Sequence, residues 1–327
     1  MLKQQEQHKQ EDKQLYNQYS SYLKSIYNQK VYKLPVSLKA SGCPNRDGNI
    51  SYGGCTYCGE EGVGFENLSA ELTVEEQLLK NKEFITKKYK ASKFIAYFQS
   101  YSNTYMPFDL FKKYVNQVLL VSDIVEISIS TRPDCINSLY LDFLKEFKEA
   151  SNINITIELG LQTSNYKSLN KINRGHTLAE YIEACNLIKS YDFDICTHVI
   201  LNLPWDTIED TIETAKIISV LKSDSVKLHA LYIEKNTALA KQYLNNEFTM
   251  LPLEDYILKV VTFLEYLSPD IAIQRLIGRA PEEFTLFSNW GMSWWKIKDL
   301  IEEKMIKEGR YQGRLFNYKG GKPLEVF

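Results

Sequence analysis

The 327-residue chain has no apolar run near the roughly 18 residues that cross a membrane as a helix, and its start, MLKQQEQHKQEDKQ, is polar where a secretory leader is apolar. A cytoplasmic protein with no membrane partner is the expectation. Internal repeats, low-complexity linkers and Pro/Gly hinges are all absent, so the chain reads as one large domain rather than an array. It also lacks an excess of charge. A net charge of −2 excludes a uniformly basic nucleic-acid coat, and 44% hydrophobic residues exclude a disordered chain. Arginine is scarce: only seven of 39 basic residues are Arg, namely Arg46, Arg132, Arg174, Arg275, Arg279, Arg310 and Arg314. Where Lys supplies the generic charge, each Arg becomes a candidate for planar, bidentate recognition.

The near-neutral total hides a polarised chain. Residues 1–40 carry seven Lys against three acids, and residues 291–322 carry eight Lys/Arg against four, so each end is +4 and the remainder is −10. Six Cys in a chain expected in the cytosol argue against a disulfide framework and for metal or redox chemistry. Three of them, Cys43, Cys55 and Cys58, fall within sixteen residues, whereas Cys135, Cys185 and Cys196 are scattered and read as small core hydrophobes.

Short runs rich in Val, Ile and aromatics alternate with amphipathic stretches. Candidate strands are 34–39, 93–99, 123–130, 153–160, 193–201, 226–233 and 270–275, and the intervals from the second onward suit parallel strands joined by helical crossovers. Thr73-Val-Glu-Glu76 and Thr177-Leu-Ala-Glu180 are capping boxes, and Pro107 and Pro252 suit first helical turns. Helical spacing follows over 107–121, 137–149, 207–222 and 253–267. Such an order fits an open doubly wound sheet or a full or partial β/α barrel, and both gather chemistry at the carboxyl ends of the strands. There lie Cys43, Gln99-Ser100, Thr131-Arg132-Pro133-Asp134, Gln162 and Asn202.

The cysteine segment has the spacing C-x11-C-x2-C, with Gly48, Gly53 and Gly54 available for the positive φ of a tight ligand loop. Structural zinc normally takes four protein ligands, and here a second cysteine pair is missing. Three thiolates on a four-iron cluster leave one iron open for a substrate or cofactor. Zinc completed by a distant His, and unrelated buried thiols, are the competing readings.

The motifs together resemble the radical S-adenosylmethionine (SAM) superfamily, its branch related to the Elongator catalytic subunit, and within it the compact bacterial YhcC and YtqA family. The resemblance rests on Cys43-Pro-Asn-Arg-Asp-Gly with Gly-Gly-Cys55-Thr-Tyr-Cys58, Tyr97-Phe-Gln-Ser-Tyr-Ser-Asn-Thr-Tyr105, Ser130-Thr-Arg-Pro-Asp134, Glu158-Leu-Gly-Leu-Gln-Thr163 and Asn173-Arg-Gly-His176. It continues through Thr197-His-Val-Ile-Leu-Asn-Leu-Pro204, Val226-Lys-Leu-His229, Ile273-Gln-Arg-Leu276 and Ala280-Pro281. It implies an α/β fold, a partial (β/α)6 barrel over 31–280 with helical extensions at 1–30 and 281–327. A [4Fe–4S] cluster on Cys43, Cys55 and Cys58 would bind SAM at its open iron and generate a 5′-deoxyadenosyl radical. Tyr57 would pack beside the adenine, Gln162 and Arg174 would reach the ribose and the methionine carboxylate, and His198 would line the cofactor. Gln99 and Ser100 stand where the superfamily's Gly-Gly-Glu motif meets the SAM amino group, although that motif is absent. The usual Gly-Leu-Pro-Gly turn is replaced by Asn202-Leu-Pro-Trp205; Asn tolerates left-handed backbone, so the turn is expected to survive, with Trp205 either stacking on a base or covering the core.

By the same resemblance the substrate is the C5 side chain of a tRNA wobble uridine, with carboxymethylaminomethyl converted to aminomethyl. Arg132, Lys227, His229, Gln274, Arg275 and Arg279 are the candidate substrate residues. The basic ends, with Tyr311, Phe316 and Tyr318 interleaved, would engage RNA. Trp290, Trp294 and Trp295 read as core. A flavodoxin- or ferredoxin-type electron donor is implied. A tetrapyrrole or other small-metabolite substrate, and a non-catalytic metal- or RNA-binding protein, are the alternatives.

Overall fold

The computed structural model describes residues 14–39, 42–59, 68–280, 282–322 and 324, so residues 1–13 of the expected N-terminal extension, and Pro281, lie outside the described residues. Among the described residues nine strands follow in chain order: β1 (Val31–Ser37), β2 (Lys93–Gln99), β3 (Ile124–Thr131), β4 (Asn154–Gln162), β5 (Asp194–Ile200), β6 (Ser225–His229), β7 (Ile233–Glu234), β8 (Ala272–Arg275) and β9 (Thr285–Phe287). Seven of them form one sheet in the order β1-β2-β3-β4-β5-β6-β8, parallel throughout. This is a curled half-barrel, with one strand more than the six that the family resemblance implies.

The sequence explains most of it. Strands β3 and β4 are buried along almost their whole length, as expected where helices cover one face and side chains fill the curl on the other. Crossover helices Val74–Tyr89, Phe108–Asn116, Ser138–Ser151, Leu178–Lys189, Ile208–Val220 and Leu253–Tyr266 carry the outer layer. Both expected capping boxes are formed, Thr73 with Glu76 and Thr177 with Glu180. Each contributes about 1 kcal/mol by satisfying amides that a helix start otherwise leaves open. Both prolines stand at the N-cap: Pro107 one residue before the helix expected to open with it, and Pro252 directly before Leu253, where the expected helix begins.

The stretch 226–233 is not one strand. Asn202, fully buried, accepts from the Leu231 amide and donates to the Leu231 carbonyl at 3.3 Å, which ends β6 at His229 and leaves Ile233–Glu234 to pair with β9. Asn202 is not among the residues of positive φ, so it serves through this side-chain bridge rather than through a left-handed turn. Trp205 packs at 5.4 Å on Phe248 in a satellite core, with the Lys171 ammonium over its ring at 4.9 Å, and does not line the main cavity.

The ends are knitted to the barrel. Helix Tyr19–Tyr27 follows a segment whose Asn17 carbonyl accepts from Ile273 at 2.7 Å, covering the outer edge of β8. Helix Trp294–Glu308 buries Ile297, Ile301 and Met305. Arg310 and Arg314 both bind the buried Glu265, Phe316 and Tyr318 pack edge to face, and Tyr318 donates to the Tyr266 carbonyl. These C-terminal groups are therefore engaged in the fold, against the expectation that they face RNA. The tryptophans divide: Trp290 packs on Tyr256 and Phe287, whereas Trp294 and Trp295 are 42% and 56% exposed and not core.

Candidate active site

A cavity of about 300 Å³ opens at the carboxyl ends of the strands. It brings together Cys43, Cys55, Cys58, Tyr57, Gln99, Ser100, Gln162, Arg174 and His198 with Arg132, Lys227, His229, Arg275 and Arg279. Of the candidate cluster, cofactor and substrate residues named from sequence, Gln274 alone does not line it: it accepts from Lys33 at 2.9 Å and donates to Ser225 at 3.1 Å deeper in the curl.

The cysteine loop turns as its glycines require. Gly48, Gly53 and Gly54 adopt φ of 91°, 78° and 81°. None of Cys43, Cys55 and Cys58 is in a disulfide, and N–H groups point at two of the sulfurs. Arg46 Nη2 donates to Cys58 Sγ at 3.3 Å and to the Cys58 carbonyl at 3.0 Å, while Asn45 Nδ2 and Arg174 Nη1 lie 3.8 and 3.7 Å from Cys55 Sγ. Burial pushes the Cys58 thiol up, and the Arg46 cation opposes it. Arg46 and Asn45 were missed in the sequence reading; a scarce Arg inside the ligand loop was the available signal.

Arg174 is oriented on three sides. Its Nη2 donates to the Gly160 carbonyl at 2.8 Å and its Nε to His176 Nε2 at 2.8 Å. His176 is neutral, pushed down to about 4 by burial and then by the Arg174 cation, which keeps that nitrogen an acceptor while Nδ1 faces the Thr177 carbonyl. Gly160 is required here, because a Cβ would come within 2.5 Å of Arg174 Nη2. The strand register shifts between Gly160 and Gln162, Gln162 takes φ 73°, and its side chain turns into the cavity. At the end of β2, Ser100 and Tyr101 take φ of 73° and 55°, a tight turn that presents Gln99 and Ser100 to the cavity.

Beneath lies a charge cluster that sequence reading missed. Glu158 of β4 is buried and accepts from Lys33 of β1, from Lys227 of β6 at 2.7 Å and from His198 of β5 at 2.7 Å. Burial alone would raise the Glu158 carboxyl, but Lys227, Lys33 and His198 hold it well below the usual range. Both ammonium groups also sit over the Tyr97 ring, at 4.7 and 4.4 Å. Lys227 is thus ion-paired within the fold. So is Arg132, whose Nε and Nη2 form a bidentate pair with Asp134 at 2.8 and 2.6 Å. Burial and Lys227 push His198 down to about 4, and burial and Arg275 push His229 well below the usual imidazole range.

A family model described as the Radical SAM superfamily matches residues 39–218, which contain the cysteine loop and β2 to β5. The chain belongs to the radical SAM superfamily. A second model, the Radical_SAM C-terminal domain, matches residues 223–307. This radical SAM chain is 33% identical to YtqA of Bacillus subtilis over 303 residues, 92% of both chains, and 31% identical to YhcC of Escherichia coli over 300 residues, 91% of this chain and 94% of that one. It is 27% identical over 191 residues, 56% of this chain and 40% of the other, to the tRNA-2-methylthio-N(6)-dimethylallyladenosine synthase of Thermosipho melanesiensis. Among solved structures it resembles archaeal Methanocaldococcus infernus Elp3, with a TM-score of 0.66 at 16% identity, covering 89% of this chain and 68% of that one; the likeness is one of fold.

The superfamily implies a [4Fe–4S] cluster and SAM, and the residues fit them. Three free thiols face one cavity, with guanidinium and amide donors aimed at the sulfurs where thiolate charge would lie. No helix of the described residues is long and apolar enough to cross a membrane.

Proposed function

We propose that this radical SAM enzyme modifies the C5 side chain of a tRNA wobble uridine, converting carboxymethylaminomethyl-uridine to aminomethyl-uridine. Cys43, Cys55 and Cys58 would hold the cluster. When bound, cluster and SAM would supply the electron and the 5′-deoxyadenosyl group that take one hydrogen atom from the N–CH2–COO⁻ carbon, the first electron coming from a flavodoxin- or ferredoxin-type donor; return of one electron from that carbon to the cluster and addition of water to the resulting imine would release the aminomethyl group and the two carbons as glyoxylate. The protein's own part is positioning. Arg174, locked by Gly160 and neutral His176 beside Cys55, would meet the methionine carboxylate of SAM, and Gln162, Tyr57, Gln99, Ser100 and His198 would line the rest of it.

One observation carries the substrate reading: beyond the cysteine loop the same cavity ends in cationic and imidazole groups, Arg275, Arg279 and His229. These suit an anionic substituent such as N–CH2–COO⁻, whose C–H bonds beside nitrogen are weak radical targets. The RNA-directed activity in the name of the Thermosipho melanesiensis relative supports tRNA as the carrier. Lys296, Lys307, Lys319 and Lys322 remain on the C-terminal segment as phosphate contacts, together with the exposed Trp294 and Trp295 as stacking faces.

Mass spectrometry of tRNA nucleosides from cells with and without the gene tests the proposal. Accumulation of carboxymethylaminomethyl-uridine in the deletion is expected, and an unchanged wobble profile refutes the tRNA assignment.

A further inference from the structure

Resting on the reading of this cavity as the site of radical chemistry, we propose that Arg275 is the anchor for a carboxylate of the substrate, held in place by His229 and given room by Gly278. The buried cations that line the cavity already have partners: Arg132 has Asp134, Lys227 has Glu158, and Arg174 is spent on His176, Gly160 and Cys55. Arg275 forms no ion pair with any described carboxylate. Its Nη2 donates to His229 Nδ1 at 2.6 Å, Nη1 makes no hydrogen bond among the described residues, and Nε is buried without a partner. Arg275 is half-buried, and leaving its Nε–H closed off from water and unpartnered is costly; the cost is relieved when an anion enters and takes the open N–H groups. Five donors in a fixed plane match the two oxygens of a carboxylate.

The backbone is shaped for this purpose. Pairing of β6 with β8 runs Val226 to Ile273 and then Lys227 to Arg275, a register shift that skips Gln274. A regular strand alternates its faces, yet Gln274 reaches Lys33 and Ser225 inside the curl while the next residue, Arg275, lines the cavity. The bulge is what lets both turn inward. At Gly278 a Cβ would stand 3.1 Å from Arg275 Cζ, so an alanine there would press the guanidinium by a few tenths of an ångström. His229, kept neutral by burial and by Arg275 itself, offers a lone pair rather than a competing charge.

The carboxylate could instead be that of SAM, and the test separates the two sources. In enzyme with its cluster reconstituted, Arg275→Gln is expected to bind SAM and cleave it to 5′-deoxyadenosine as the wild type does, while KM for tRNA from cells lacking the gene rises about 10- to 100-fold. Arg275→Lys recovers part of this, and Gly278→Ala, which keeps the arginine and presses on it, raises KM in the same direction. His229→Gln, which keeps an acceptor, is expected to outperform His229→Phe in KM with equal SAM cleavage. Unchanged KM in Arg275→Gln overturns the proposal, and so does parallel loss of SAM binding, which would give Arg275 to the cofactor. If the wild type does not act on this tRNA, the proposed function fails, but the anchor is still tested by calorimetry with N-acetylglycine and its amide on the SAM-loaded enzyme. Preference for the acid in the wild type, lost in Arg275→Gln, supports it; no preference in the wild type overturns it.

Discussion

Glu158 Oε2 accepts a hydrogen bond from Lys227 Nζ at 2.7 Å in the interior of the curled sheet, while the other carboxylate oxygen takes Lys33. The three residues come from β4, β6 and β1, so this pairing ties the middle of the sheet to both sides of the opening beneath the cavity. One carboxylate is shared by two ammonium groups there, so the trio keeps a net positive charge.

Glu158→Gln should therefore be severely destabilising. It leaves Lys33 and Lys227 buried without a counter-charge, and the expected loss is about 3–5 kcal/mol in denaturant unfolding. A loss under about 1 kcal/mol would show that the two lysines are hydrated or neutral once the carboxylate is gone.

Single Ala variants of Cys43, Cys55 and Cys58 are each expected to lose the iron and visible absorbance of protein purified without oxygen. Cys185→Ala and Cys135→Ser should retain both, because burial pushes these two thiols up to about 12, away from the thiolate that binds metal. Stoichiometric zinc without iron in the wild type would defeat the cluster assignment.

Gly160→Ala tests the orientation of Arg174. A methyl group within 2.5 Å of Arg174 Nη2 must displace the guanidinium, so SAM affinity should fall about tenfold or more in equilibrium dialysis while the iron content is kept. Equal affinity in the variant and the wild type would remove Arg174 from the SAM site.

His176 gives stability a pH dependence of definite sign. Its folded value of about 4 lies below the ordinary 6.5, so the unfolded chain binds more protons between these values and stability rises with pH across that window. The contribution is fully present above 6.5 and is lost toward pH 4, up to about 3 kcal/mol. Buried Glu126 acts in the opposite sense: burial raises its carboxyl to about 7, so its contribution is present below 4.5 and is lost as pH rises to 7. Relative to the wild type, His176→Gln should gain stability as pH falls from 6.5 to 4, and the His176 ring should show no NMR titration step near 6.5 in the wild type.

Local pattern carried most of the architecture. Runs of Val and Ile marked the seven sheet strands, Thr-x-x-Glu marked helix starts, and glycines marked the cysteine loop, because each depends on neighbours within a few residues. The family resemblance rested on the same short motifs, and the match over residues 39–218 bears out the superfamily. Arg132 with Asp134, two residues away, was also legible in principle.

What the sequence by itself determined, then, was the succession of β/α units, the three-cysteine loop and the superfamily. Only the tertiary structure decided which of the scarce arginines has a counter-charge. Arg310 and Arg314 meet Glu265 across 45 and 49 residues, and Arg275 meets His229 across 46, with no carboxylate partner among the described residues. Such pairings depend on strand register and on the skipped residue at Gln274, and those are fixed when the whole sheet curls and buries its apolar face.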